Sequence, residues 1–111
     1  MAKNHDLRVL DAARMVVDDI NRLIRAHKFP NAAQFRNVAE SIIGNIQEAL
    51  GREAGPDRNR FWTFARASAE EANERLRARF AAMDVNSKDY WRNHHRLVAI
   101  VRMLNPLMDS S

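Results

Sequence analysis

Residues 41–76 read SIIGNIQEALGREAGPDRNRFWTFARASAEEANERL, and their pattern decides the fold. Two stretches with apolar residues at intervals of three and four flank EAGPD, where Gly55 and Pro56 together break a helix. Polar residues stand on positions that helical spacing would give to apolar ones: Ser41, Asn45 and Glu48 in the first stretch, Ser68 and Glu71 in the second. The pattern describes two facing helices with a polar seam. Buried polar groups need partners, so these five residues, with Arg52 or Arg66, can satisfy one another and fix the register of the pair. Glu48 and Glu71 could instead face each other as the paired carboxylates of an acid–base site.

Outward from that pair, the same period recurs twice more. Leu7, Leu10, Ala13, Val17, Ile20 and Ile24 form one stripe, widened by Val9, Val16 and Leu23. It should end near His27, because a residue before proline, here Phe29 before Pro30, is pushed out of helical geometry. Asn31 reads as the cap of the next helix with Gln34 three residues on. Phe35, Val38, Ala39, Ile42, Ile46, Ala49 and Leu50 make its stripe.

Asp57 reads as the cap of a third helix carrying Phe61, Ala65, Ser68, Ala72, Leu76, Phe80 and Met83 inward. Ser87 reads as the cap of a fourth, with Tyr90, His94, Leu97, Val101, Leu104 and Met108 inward. Pro106 should weaken or kink it. Helices over about residues 6–27, 32–52, 58–83 and 88–105, joined by short connections, predict an all-α, antiparallel up-down-up-down four-helix bundle. At 111 residues it is a single domain, 1–111.

Hydrophobic residues make up 46% of the chain and charged residues 29%, a globular rather than a disordered balance. The absence of cysteine excludes disulfides, thiolate chemistry and Cys-based zinc sites. The N-terminus MAKNHDLRVLDAARMV lacks the apolar core of a signal peptide, and no run reaches the roughly 18 apolar residues of a membrane span. A soluble, cytoplasmic protein with no membrane partner is expected.

Leu97-Val98-Ala99-Ile100-Val101 is apolar on every face of the fourth helix. A four-helix bundle buries about half of each helix, so the surplus is expected to meet a second copy of the chain. Trp62, Leu97, Val98, Ile100 and Val101 are the candidate oligomer interface, with Trp62 and Phe64 as exposed aromatics. A fourth helix more central than its neighbours is the other reading.

Recognisable catalytic or metal patterns are missing. Bundle di-iron sites use Glu-x-x-His pairs, and the four His, at 5, 27, 94 and 95, follow no Glu at that offset. His94 and His95 point about 100° apart on a helix and cannot share a metal unaided. Ser41 and Ser68 lack a nucleophile's His-Asp partners, and no Gly-rich phosphate loop accompanies them. No metal, cofactor or catalytic residue is expected.

Basic residues are the remaining lead, on a chain of net charge +4 in which Arg far outnumbers Lys. Arg75 and Arg79 share a helix face, as do Lys88, Arg92 and Arg96. Antiparallel packing should cluster Arg75, Arg79, Lys88 and Arg92 where the third helix ends and the fourth begins, with Arg96 next on the ridge. Such a cluster suits a nucleic-acid phosphate backbone. A solvated face with local ion pairs to Glu71, Glu74 or Asp89 is the alternative.

Nearly the whole chain, from Leu7 to Leu107, resembles the four-helix-bundle family of proteins encoded in intervening sequences of bacterial 23S ribosomal RNA. The related accessory variability proteins of diversity-generating retroelements are similar. HDLRVLDAA, Phe29-Pro30, Ser41-Ile42-x-x-Asn45-Ile46-x-Glu48, Gly51-Arg52 and Phe61-x-x-Phe64-Ala65-x-x-Ser68-x-x-Glu71 carry the resemblance. The chain departs from the family pattern at Leu10, Ile43, Ala49, Ala67 and Asn73, and keeps only Arg36 of a usual basic pair. The resemblance implies a non-enzymatic homo-oligomer, typically a pentamer, associated with RNA or DNA, or with a protein encoded nearby such as a reverse transcriptase.

Overall fold

The computed structural model describes the backbone of residues 4–109 and the side chains of residues 7–108. Four helices fill it: α1 (Asn4–Ala26), α2 (Ala32–Leu50), α3 (Pro56–Ala81) and α4 (Ser87–Asp109). Three connections of five residues each leave no room for crossovers, so sequential helices lie antiparallel. α1 and α3 each pack against both α2 and α4, and the diagonal pairs do not meet. The result is an up-down-up-down bundle measuring 42 × 22 × 18 Å.

One apolar seam runs down its axis, through Val9, Val16, Ile20 and Leu23 of α1, Ile42 and Ile46 of α2, Leu76 of α3, and Leu97, Ile100 and Leu104 of α4. The most extensive helix contact is between α2 and α3. Small residues permit it: Ala39 and Ala49 on α2 and Ala65, Ala69 and Ala72 on α3 are all fully buried, so the two backbones approach closely.

Several boundaries differ from the sequence expectation. α3 starts two residues early because Pro56 takes the first helical position, where its missing N–H is no loss, and Gly55 supplies the entry at φ 144°. Asp57 is therefore not the cap; it sits in the first turn and pairs with Arg52 and Arg60. Asn86, not Ser87, caps α4: its Oδ1 accepts from the Asp89 backbone N–H at 2.8 Å while its amide donates back to Asp89 Oδ2 at 3.1 Å. Asn31 does occupy the cap position of α2 but in left-handed geometry, φ 56°, with no side-chain capping bond.

α4 runs through Pro106 to Asp109. Arg102, one turn before the proline, is exposed, and buried Leu107 anchors the final turn.

α3 ends in a Schellman motif, with Asp84 N–H on Arg79 C=O at 2.9 Å and Met83 N–H on Phe80 C=O at 3.0 Å. Met83 stands at the left-handed position that usually takes glycine, φ 64°, and is 89% exposed rather than part of the inner stripe.

Candidate nucleic-acid interface

Ala65, Ala72 and Leu76 of the expected α3 stripe face inward, while Trp62 and Ala69 take the places expected for Phe61 and Ser68. Trp62, Ala65, Ala69, Ala72 and Leu76 are buried, and Phe61, Ser68 and Phe80 flank them half-buried. Trp62 is thus a core residue, 1% exposed, and its place in a candidate oligomer interface is corrected. Leu97 and Ile100 are also buried within the chain's own core, which removes them from that interface too. Val98 and Val101 remain part-exposed. With Ala99, Met103 and the half-exposed Trp91 they leave apolar surface on the outer side of α4, interrupted by exposed His95 and Arg102, beside a groove of about 310 Å³ against α3 whose lining includes Val98 and Val101 but also Glu70, Glu74 and Arg102.

The polar seam is narrower than its five candidates. Ser41 and Ser68 face each other across α2 and α3, their hydroxyl oxygens 2.7 Å apart. Ser41 lies 2.7 Å from the Val38 carbonyl and donates its single proton there, so Ser68 is the donor of the pair. Asn45 donates to the Ser41 carbonyl at 2.9 Å, within its own helix. Glu48 and Glu71 are exposed and do not meet. Glu48 instead pairs with Arg52, which also reaches Asp57 at 2.6 Å and lies 4.1 Å above the Phe61 ring, locking the α2–α3 corner. Among the described residues, no group of His, Asp and Glu could hold a metal ion.

Of the five candidate basic residues, Arg79, Arg92 and Arg96 are held by carboxylates, and not by the same ones. Arg92 points away from α3 and donates through Nε at 2.9 Å and Nη2 at 2.8 Å to Asp19 of α1. Arg96 adds a 3.6 Å contact and Arg22 a 2.7 Å ion pair to the same carboxylate. Asn93, fully buried, donates to Asp19 at 2.8 Å and to the Asp89 carbonyl at 2.9 Å. Asp89 accepts from Arg92 as well.

Burial alone would raise the Asp19 pKa, but the hydrogen bonds from Arg92, Asn93 and Arg22 outweigh it and hold the carboxyl below its ordinary value. The hydrogen bonds to Asp19 and Asp89 in turn raise Arg92 above the usual arginine value. This hub is structural. The sequence signal for it was Asn93, which stands three residues after Tyr90 and four before Leu97, on the buried stripe.

Arg79, by contrast, pairs with Asp84 at 2.7 Å, and Arg77 with Glu74 at 3.1 Å. Among the described residues, Arg75 and Lys88 have no acidic partner, and neither do Arg25, Lys28 and Arg36. The topology gathers these at one end: α1 finishes and α2 begins there, α3 finishes and α4 begins there. The 3.4 Å contact of Arg22 with Asp89 and the Phe80–Tyr90 stack at 4.2 Å tie that end together.

His94 belongs to the α3 side of α4, with Nδ1 3.1 Å from Asn73 Oδ1. Because Asn Oδ1 only accepts, the Nδ1 carries the proton. Desolvation, with smaller contributions from His95 and Arg77, lowers its pKa. His95 is exposed.

A compact all-α bundle of this topology, with polar hubs that tie helices together, defines the class of protein. Residues 5–106 match the model of the 23S rRNA-intervening sequence protein family, and the chain belongs to that family. A crystal structure of a protein of unknown function from the S23 ribosomal protein family of Bacteroides thetaiotaomicron VPI-5482 shares the fold, with TM-score 0.80 and 18% identity over 95% of this chain and 98% of that one. No curated protein matches. Neither match is described by an enzymatic activity, and no described helix is long and apolar enough to cross a membrane.

Proposed function

We propose that this protein is a non-catalytic, cytoplasmic RNA-associated bundle that works as a homo-oligomer. The observation that carries the RNA reading is the set of cations left without carboxylate partners at one bundle end: Arg25, Lys28, Arg36, Arg75 and Lys88. Cations already hydrogen-bonded to Asp19, Asp89 or Asp84 gain less from a phosphate, since the existing pair must break first. The contact surface therefore moves from the Arg92–Arg96 ridge to that end, keeping Arg75 and Lys88 of the original set. The family is named for a 23S rRNA intervening sequence, which motivates RNA as the partner to test.

Val98, Ala99, Val101, Met103 and Trp91 support self-association, because they leave part-exposed apolar surface on one helix, interrupted by His95 and Arg102. The family resemblance suggests five subunits. Titration of labelled RNA in rising salt tests the RNA reading: affinity should fall steeply with salt and drop on replacing Arg25, Lys28 and Lys88 together by Ala. Sedimentation equilibrium tests the oligomer.

A further inference from the structure

The connection between α1 and α2 holds a short stack of rings that no part of the fold requires to extend outward. Phe35 of α2 and Phe29 are buried core residues with ring centroids 6.3 Å apart and planes 21° from parallel. His27 continues the stack, 5.8 Å from Phe29 and within 5° of parallel. Its ring is exposed, and neither ring nitrogen has a hydrogen-bond partner.

Groups equally uncommitted lie close to this ring along the chain, in and beside the α1–α2 connection. Arg25, Lys28 and Arg36 are exposed and lack acidic partners. Asn31 is held in left-handed geometry, and its exposed carboxamide makes no capping bond. A flat ring open on one side, cations within a few residues of it and a free amide make up a stacking surface, phosphate neutralisation and a hydrogen-bonding edge.

Resting on the RNA reading above, we propose that His27 is a stacking platform for an unpaired base, so that the bundle end takes single-stranded RNA in preference to duplex. A base would add the next ring to the Phe35–Phe29–His27 series while Arg25 and Lys28 meet the flanking phosphates. In a duplex the base faces are already stacked on one another and cannot reach the ring; only the phosphate contacts remain. Phe29, itself stacked on Phe35, gives the His27 ring a parallel neighbour on one side, which favours this orientation before RNA arrives.

The test is fluorescence anisotropy with a labelled oligoribonucleotide of about ten residues, alone and annealed to its complement. Wild-type protein is expected to favour the single strand. His27→Ala should weaken single-strand binding about tenfold and leave duplex binding within about twofold, since one stacked base is lost and no phosphate contact is. His27→Trp should retain the preference, and a joint Arg25→Ala, Lys28→Ala variant should weaken both RNAs alike.

His27 is exposed, so these variants keep the fold, and matching circular dichroism melts verify that. Equal single-strand affinity for wild type and His27→Ala overturns the stacking site while the RNA reading stands. Absence of binding to either RNA at about 50 mM salt overturns both.

Discussion

Arg92 of α4 and Asp19 of α1 meet through two hydrogen bonds of 2.9 and 2.8 Å to a single carboxylate oxygen, and the buried amide of Asn93 donates to that same atom. The oxygen thus serves as the junction of the two helices whose connection is longest in sequence. Its consequence is functional as well as structural: the arginines of this ridge, which could have faced a phosphate backbone, are already held.

Removing the junction should be costly. Asp19→Ala removes one acceptor from the fully buried Asn93 amide and one from the half-buried Arg92, leaving each only its contact with Asp89. A loss of about 2–3 kcal/mol is expected, below the full value for a buried pair because Arg92 keeps Asp89 and some solvent. Urea unfolding should show a lower midpoint with an unchanged slope.

Acid should act on the same junction. The folded Asp19 carboxyl titrates below its ordinary value of 3.8, so the stability it contributes is complete above that value and is lost as pH falls through the folded pKa. His94 works in a higher range. Its folded pKa lies below 6.5, so the unfolded chain binds more protons, and stability should decline as pH falls through about 6.5 and level off below the folded value. His94→Gln should flatten the upper range and leave the lower one. Thermal melts from about pH 7.5 to pH 3 read both ranges.

The end of α3 offers a stabilising change. Met83→Gly places the preferred residue at the left-handed Schellman position and removes a side chain that is 89% exposed. A gain of about 0.5–1 kcal/mol is expected in the melting curve. A loss would show that the Met83 side chain does more than the backbone geometry implies.

Two neighbouring residues on α4 should separate folding from assembly. Leu97→Ala opens the core and should cost about 2–4 kcal/mol. Val98→Asp, on the part-exposed outer face, should leave the monomer's melting nearly unchanged and shift sedimentation toward a single chain.

Architecture was readable from periodicity because two of the three connections carry strong breakers, Pro30 in the first and Gly55 beside Pro56 in the second, and the third carries the polar residues Asp84, Asn86 and Ser87. Which residue of an aromatic run faces inward was not. Phe61, Trp62 and Phe64 are near neighbours on α3, and small residues on both sides of the stripe leave the apolar direction weakly marked. Trp62 won the interior, and Phe64 stayed 45% exposed.

The Arg ridge shows a different limit. Helical spacing correctly put Arg92 and Arg96 on one face, but which acid that face meets depends on α1 packing against α4, some seventy residues apart in sequence. Asp19 sits among Val16, Val17 and Ile20 and carries no local mark of its role. Ser41 and Ser68 were legible as a pair because both replace apolar residues at facing positions. Glu48 and Glu71 shared that spacing, yet their charges turned them to water.

The most direct measurement is RNA affinity as a function of salt for wild type and two variants, Arg25→Ala/Lys28→Ala/Lys88→Ala and Arg96→Ala. The account predicts a steep loss of wild-type affinity between about 50 and 200 mM salt. The triple variant should bind at least about tenfold more weakly at low salt, with a shallower salt slope, and Arg96→Ala should match wild type. Unchanged affinity and slope in the triple variant, or a loss confined to Arg96→Ala, would contradict the placement of the RNA contact at the bundle end.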